Sequence, residues 1–380
     1  MMGPSGYDRQ VHPEGNRALQ RGLGSLLHLD LPLLGALLLL SGFGLVVLYS
    51  ASGGDGAMLQ RQLLRLGFAF GLMLIAAQIT PLQWQRWAPL IFAGGLILLL
   101  AVLLMGAIGK GAQRWLDFGL FRFQPSEIMK LALPMALAWF FSIRHIPPKN
   151  KDLLIAALAI AVPVGLIAKQ PDLGTSLLVA SAGIFVLFLG GLSWRLIGFL
   201  IASGAAATPL VWHFMHDYQR QRVLTFLDPQ SDPLGSGYHI IQSKIAIGSG
   251  GAYGKGWLEG TQSHLEFLPE RHTDFIFAVL AEELGLFGVI LLFLLYLFII
   301  YRGLFIASQA HDTFSRLLGG SIILVFFIYV LVNVGMVSGL LPVVGVPLPL
   351  ISYGGTSLVT IMAGFGILMS IHSHKKLLPT

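Results

Sequence analysis

The chain has 380 residues, of which 55% are hydrophobic and 11% charged, with a mean hydropathy of +0.76. That is too little polar surface for a soluble globule of this length, so the sequence reads as an all-α polytopic membrane protein with no nucleic-acid partner. The 24 Lys+Arg and 18 Asp+Glu leave a net charge of +6, which anionic inner-leaflet lipids favour in any membrane protein, and the lack of cysteine removes disulfides, thiolate nucleophiles and cysteine metal sites.

Residues 1–28 are polar, carry Arg9, Arg17 and Arg21, and precede a span of full transmembrane length, so they are expected to be a cytoplasmic tail and not a cleaved signal peptide. Residues 29–374 read as one membrane domain, and 375–380 as a second cytoplasmic tail. Apolar runs long enough to cross the hydrocarbon recur at 31–50, 62–79, 88–106, 124–142, 153–168, 174–192, 196–215, 273–300, 317–337 and 353–371, giving about ten transmembrane helices. Arg86, the Arg144/Lys149/Lys151 turn, Arg195, Arg302 with Arg316, and Lys375-Lys376 fall on the N-terminal side, which the positive-inside rule assigns to the cytoplasm. An even span count places both termini there.

The opposite side keeps Arg61, Arg65, Lys110, Arg114, Arg122 and Lys169. Long loops translocate regardless of charge, but that does not cover Lys110 and Arg114; cations held on an outer face suit an anionic substrate such as a phosphorylated lipid.

Four outward segments concentrate polar residues. In the first, Lys110 to Asp117 continues through Arg122-Phe123-Gln124-Pro125-Ser126-Glu127 to Lys130. Glu127 and Lys130 share a helix face at i, i+3, and are either a structural ion pair or a substrate contact; Trp115 is either a ligand contact or an interfacial aromatic. In the second, Lys169 to Thr175, Asp172 is expected to cap the next helix and Lys169 to snorkel. Gln124-Pro125-Ser126-Glu127 and Gln170-Pro171-Asp172 echo one another, each with a proline and an acid near a helix end.

The third is a large extracytoplasmic loop, 216–272, between the seventh and eighth spans, with a short interfacial helix near Tyr238 to Ile247 and a glycine-rich, re-entrant or lid-like stretch after it. Its exit carries Glu266, Glu270, Arg271 and His272 and ends at Asp274. At the mouth of a span, Asp274 is chargeable yet poorly solvated, which fits a general base; helix capping is the alternative. The fourth runs from Asn333 to Ser357. Pro342, Pro347 and Pro349 break the helix there, so the segment must be buried in protein or line a cavity, with Ser352 and Gly354-Gly355 able to approach a ligand.

Three motifs occur in a familiar order: Lys110-Gly111-Ala112-x-Arg114-Trp115; Pro269-Glu270-Arg271-His272-Thr273-Asp274-Phe275 followed by Glu282-Glu283-Leu284-Gly285; and Pro342-x-x-Gly-x-Pro347 ending in Ser352-Tyr353-Gly354-Gly355. Together they resemble the shape, elongation, division and sporulation (SEDS) family, nearer its rod-shape branch than its division branch, over Leu31 to His374 and without visible departure. The resemblance implies a peptidoglycan glycosyltransferase of the bacterial inner membrane that polymerises lipid II onto a growing glycan strand, beside a class B penicillin-binding transpeptidase and other elongation-complex membrane proteins. It implies that Asp274 is required for polymerisation, that Trp115 matters and that Glu266 bears on control of activity. Substrate contacts are expected at Lys110, Arg114, Trp115, Glu127, Lys130, Glu266, Arg271, His272 and Ser352. Because the donor already carries a pyrophosphate leaving group, one base and a cation cluster suffice; Lys110, Arg114 or a divalent cation such as Mg2+ would offset its charge. On this reading Lys110→Ala and Arg114→Ala weaken turnover more than Arg61→Ala. The competing readings are a lipid II flippase, which needs a polar path through the membrane, and a scaffold in which Asp274 is dispensable.

Overall fold

The computed structural model describes residues 28–109, 112–117, 122–215, 217–231, 236–264 and 270–374. Every apolar run becomes a helix. In chain order these are α1 (Leu31–Ala51), α2 (Gly56–Gln78), α3 (Pro81–Met105), α4 (Pro125–Ser142), α5 (Asn150–Lys169), α6 (Leu173–Leu189) and α7 (Trp194–Phe214). Then come α8 (Asp217–Leu227), α9 (Ser236–Gly250), α10 (Thr261–His264), α11 (Ile276–Ser308), α12 (Thr313–Val337) and α13 (Thr356–Ser373). Seven of them are long and apolar enough to cross a membrane: α1, α2, α3, α5, α11, α12 and α13.

Local chemistry sets the starts. Asp30 accepts from Leu33 N at α1, Asp55 from Ala57 N at α2, and Asp312 from Ser315 N at α12. Thr80 and Gln83 form a capping box that starts α3 at Pro81, seven residues before its apolar run. The core gathers around α12, the most buried of the candidate spans, against α4, α6, α11 and α13.

Both ends of the described chain lie at one end of the bundle. There Asp30 takes two hydrogen bonds from Arg302, 3.0 and 2.6 Å, with His372 Nε2 at 3.2 Å, and His28 stacks on His374. The Asp274 end lies opposite.

Two features depart from the all-α, uninterrupted-span expectation. First, a small antiparallel sheet forms between α3 and α4: β1 (Ala107–Gly109), β2 (Ala112–Asp117) and β3 (Arg122–Phe123), in the order β1-β2-β3. Second, the run at 273–300 is not one helix from Thr273. It begins at Ile276, and Gly285, at φ 61° and ψ −159°, breaks it. In an unbroken helix Leu286 N and Phe287 N would bond Glu282 O and Glu283 O. Instead they donate to Gly251 O and Ala252 O, while the two freed carbonyls accept from Lys255 N and Gly256 N. The turn after α9 thus satisfies all four backbone groups released by the break, as a low-dielectric setting demands.

The segment 216–272 holds more helix than the single short one expected: α8, a 3-10 turn at Pro229–Ser231, α9 and α10. Ser243 Oγ donates to Val337 O at 2.7 Å, fastening α9 to the end of α12.

Candidate active site

The stretch between α12 and α13 folds back into the bundle as the sequence requires. Tyr296, ten residues beyond Leu286 along α11, donates its hydroxyl to Pro349 O at 2.7 Å; Leu348, Leu350 and Ile351 are buried. A side chain on Gly44 of α1 would collide with Leu350 O, so these backbones touch. Leu350 holds φ 64°, a left-handed conformation costing a β-carbon residue roughly 1–2 kcal/mol.

Asp274 lies over this re-entrant segment, held by its own and its neighbours' carbonyls. His272 O accepts from Tyr353 N (2.8 Å), Thr273 O from Ser352 Oγ (2.6 Å) and Asp274 O from Asn333 Nδ2 (2.9 Å). Its half-buried carboxylate faces Gly345, where a β-carbon would stand 3.5 Å from Oδ2. Gly345 has φ 75° and presents bare backbone to the acid. Asp274 does not cap α11: the N-cap is Phe275, with no side-chain cap hydrogen bond.

Ser352, expected at the ligand, has its hydroxyl engaged on both sides, accepting from Leu348 N at 2.8 Å and donating to Thr273 O. That geometry makes it a brace. His272 Nδ1 lies 3.2 Å from Ala51 O, an acceptor, so the ring carries its proton on Nδ1 and leaves the Nε2 lone pair available. Burial, and then the neighbouring Arg271 charge, lower the His272 pKa, keeping the ring neutral at neutral pH.

Two cationic flanks border the segment. On one, Arg114 donates to Pro171 O and stands 3.7 Å from Asp172, which caps α6 through Thr175 N and accepts from Gln124 Nε2 at 3.0 Å. The two sequence echoes therefore meet in space. A β-carbon on Gly174 would lie 2.8 Å from Val344 O, so this cluster abuts the residue next to Gly345. Trp115 is half-buried on β2, paired in register with Ala107. Lys110 and Glu266 lie outside the described residues.

Sequence reasoning passed over the other flank. Arg61 and Arg65, at i, i+4 on α2, both reach Tyr353: Arg61 Nε lies 3.4 Å from its hydroxyl, and the Arg65 guanidinium sits 4.3 Å from the ring centroid. The helical spacing and the proximity of Tyr353 to the Gly354-Gly355 motif were the available signals. Arg61, expected to matter less for turnover than Lys110 and Arg114, borders the same segment.

Glu127 and Lys130 are buried beneath, paired at 2.6 Å, with Lys130 also bonded to the Tyr329 hydroxyl. Tyr329 packs with Val344 and Val346 of the re-entrant segment. Among the described residues no three of His, Asp and Glu converge on a metal position. A single carboxylate such as Asp274 suits a Mg2+ ion only as one ligand beside substrate phosphate oxygens.

A family model described as a cell cycle protein, covering FtsW, RodA and SpoVE, matches residues 31–377. The chain belongs to this family. The peptidoglycan glycosyltransferase MrdB of Escherichia coli (strain K12) is 59% identical to this FtsW/RodA/SpoVE member over 352 residues, 92% of this chain and 95% of that protein. A probable peptidoglycan glycosyltransferase FtsW of Trichlorobacter lovleyi is 41% identical over 365 residues, 92% and 94% of the two chains. Among solved structures, one from work on the structural coordination of polymerization and crosslinking by a peptidoglycan synthase complex superposes with a TM-score of 0.80 at 36% identity, covering 90% of this chain and 97% of that one. The rod shape determining protein RodA of Thermus thermophilus gives 0.70 at 30% identity, covering 92% and 98%. The SEDS resemblance read from three motifs is borne out, and the matched range contains every element that builds the site.

Proposed function

We propose that the chain is a peptidoglycan glycosyltransferase that polymerises lipid II into β-1,4-linked glycan during cell elongation, at the outer face of the bacterial inner membrane. The carrying observation is one half-buried carboxylate, Asp274, laid over bare backbone between two cationic flanks. Ten spans with both termini cytoplasmic put this site outside, in the single membrane domain 29–374. The pairing of Asp30, Arg302 and His372 at one end of the bundle, opposite Asp274, supports both termini lying on one side.

In the reaction, Asp274 takes the proton from the acceptor sugar's 4-hydroxyl as its oxygen bonds the donor's anomeric carbon. The bond from that carbon to the pyrophosphate oxygen breaks, and the lipid pyrophosphate leaves with the electron pair. A single in-line displacement inverts the anomeric centre. Arg114 on one side and Arg61 with Arg65 on the other neutralise the pyrophosphates of the two lipid-linked substrates, with Arg271, Trp115 and the His272 Nε2 lone pair as further contacts. Lys110 and Glu266 keep their proposed roles in binding and control. A divalent cation, when bound, would offset charge between Asp274 and pyrophosphate oxygens.

The partner is a class B penicillin-binding transpeptidase. A nearly all-apolar groove of about 460 Å³ between α11 and α12, lined in part by Phe293, Leu297, Phe327, Leu331 and Gly335, is suited to side chains of a partner's membrane helix. The test supplies lipid II to the purified chain with its transpeptidase. Glycan polymer is expected; lipid II crossing vesicle bilayers with no polymer would overturn the assignment in favour of transport.

A further inference from the structure

We infer that Asn333 is a positioning residue for the transfer reaction: its side-chain amide sets where the Asp274 carboxylate stands against Gly345. The inference rests on the reading of Asp274 as the base. Asn333 lies one turn before the end of α12 and is fully buried. Its amino group donates to two carbonyls at once, Asp274 O at 2.9 Å and Val346 O at 2.7 Å. An amide nitrogen has two protons, one for each. Both partners are pure acceptors, so the nitrogen must face them and the amide orientation is determined.

Both carbonyls belong to backbone outside regular helix or strand. α11 opens with a tight turn in which Ala278 N bonds Phe275 O, and Asp274 precedes its N-cap, Phe275. Val346 belongs to the irregular re-entrant segment, where no ladder exists to serve it. The carbonyls of residues 272, 273 and 274 are each held by one donor, from Tyr353 N, Ser352 Oγ and Asn333 Nδ2. Ser352 Oγ also holds Leu348 N, and the Asn333 amide also grips Val346 O, one residue from Gly345. The same side chain leaves Oδ1 buried and without a partner among the described residues. A buried polar atom without a partner is destabilising, and its retention here fits a requirement for the two donors.

Shifting a base by about 1 Å costs on the order of a hundredfold in rate. Asn333→Asp keeps the size but sets acceptor against acceptor; Asn333→Ala removes both donors. Both variants, wild type and Asp274→Asn are compared in lipid II polymerisation with the transpeptidase, per folded molecule measured by monodisperse yield and thermal midpoint. The expected result is a fall in kcat of about 10- to 100-fold in either variant, with KM within about twofold of wild type. Unchanged kcat per folded molecule would overturn the inference, and so would loss of folding in both variants, which marks a purely structural role. Activity in Asp274→Asn would instead overturn the underlying reading, so the two failures are distinguishable.

Discussion

At the scale of single residues, position decides more than identity. Asp274 was legible as a candidate because an acid at the mouth of a long apolar run is costly to place. That it does not cap α11 was not legible, since capping depends on where the first turn closes, and it closes at Phe275. His272 yields a pH prediction. Its folded pKa is lowered, so its contribution to stability is complete above the unfolded value of about 6.5 and is lost as pH falls from there through the depressed folded value. The thermal midpoint of wild type should therefore fall more on acidification through that window than that of His272→Gln; parallel curves would contradict this. For Arg65→Ala, loss of a charge-assisted contact of about 1.5 kcal/mol predicts a KM for lipid II raised roughly tenfold with kcat little changed. Arg61→Ala should act in the same direction. Arg61→Ala against Arg114→Ala tests the expected ranking directly, because both side chains border the re-entrant segment. An Arg65→Ala variant with wild-type KM would remove the second cationic flank from binding.

At the scale of elements, the ten apolar runs were legible because the hydrophobic length needed to span lipid leaves little freedom. Prolines at 342, 347 and 349 likewise announced the re-entrant segment. The break at Gly285 was hidden: the apolar run continues through it, and the partners that satisfy it come from residues 251–256, which sequence periodicity cannot pair with it. The strands β1 to β3 were missed for the related reason that cross-strand register is non-local. Gly254, at φ 80°, presses on the break so closely that a β-carbon would overlap Glu283 O. Gly254→Ala is expected to destabilise by about 3 kcal/mol, read as a lower thermal midpoint and reduced monodisperse yield. A neutral effect would show that the turn is free to separate from α11. The buried pair beneath the site behaves differently. Lys130→Met strands the Glu127 carboxylate and should cost about 3–5 kcal/mol, while adding Glu127→Leu should recover most of it. Equal losses in single and double variants would assign the pair a role beyond mutual neutralisation.

At the scale of the whole molecule, the distribution of charge separates a transferase from a transporter. Glu282 and Glu283, acids within a span and so candidates for a polar path, are each satisfied close to the Asp274 end. Glu282 accepts from Lys255 Nζ at 2.7 Å, Thr261 Oγ1 at 3.0 Å and Gln262 N at 3.1 Å; Glu283 accepts from Ser50 Oγ at 2.6 Å, next to the last residue of α1. They anchor the segment that crosses the α11 break. Lys130 and Glu127 neutralise each other, while Asp30 with Arg302 and His372 sits at the opposite end, as does the Arg144–Asp152 pair. The polar groups thus gather at two ends with an apolar core between, which suits chemistry at one face. The most direct measurement is lipid II polymerisation by the purified chain with its transpeptidase, comparing wild type with Asp274→Asn at matched folding. Glycan polymer from wild type and none from the variant is the predicted result; equal polymer from both would contradict Asp274 as the base and with it the account of the site.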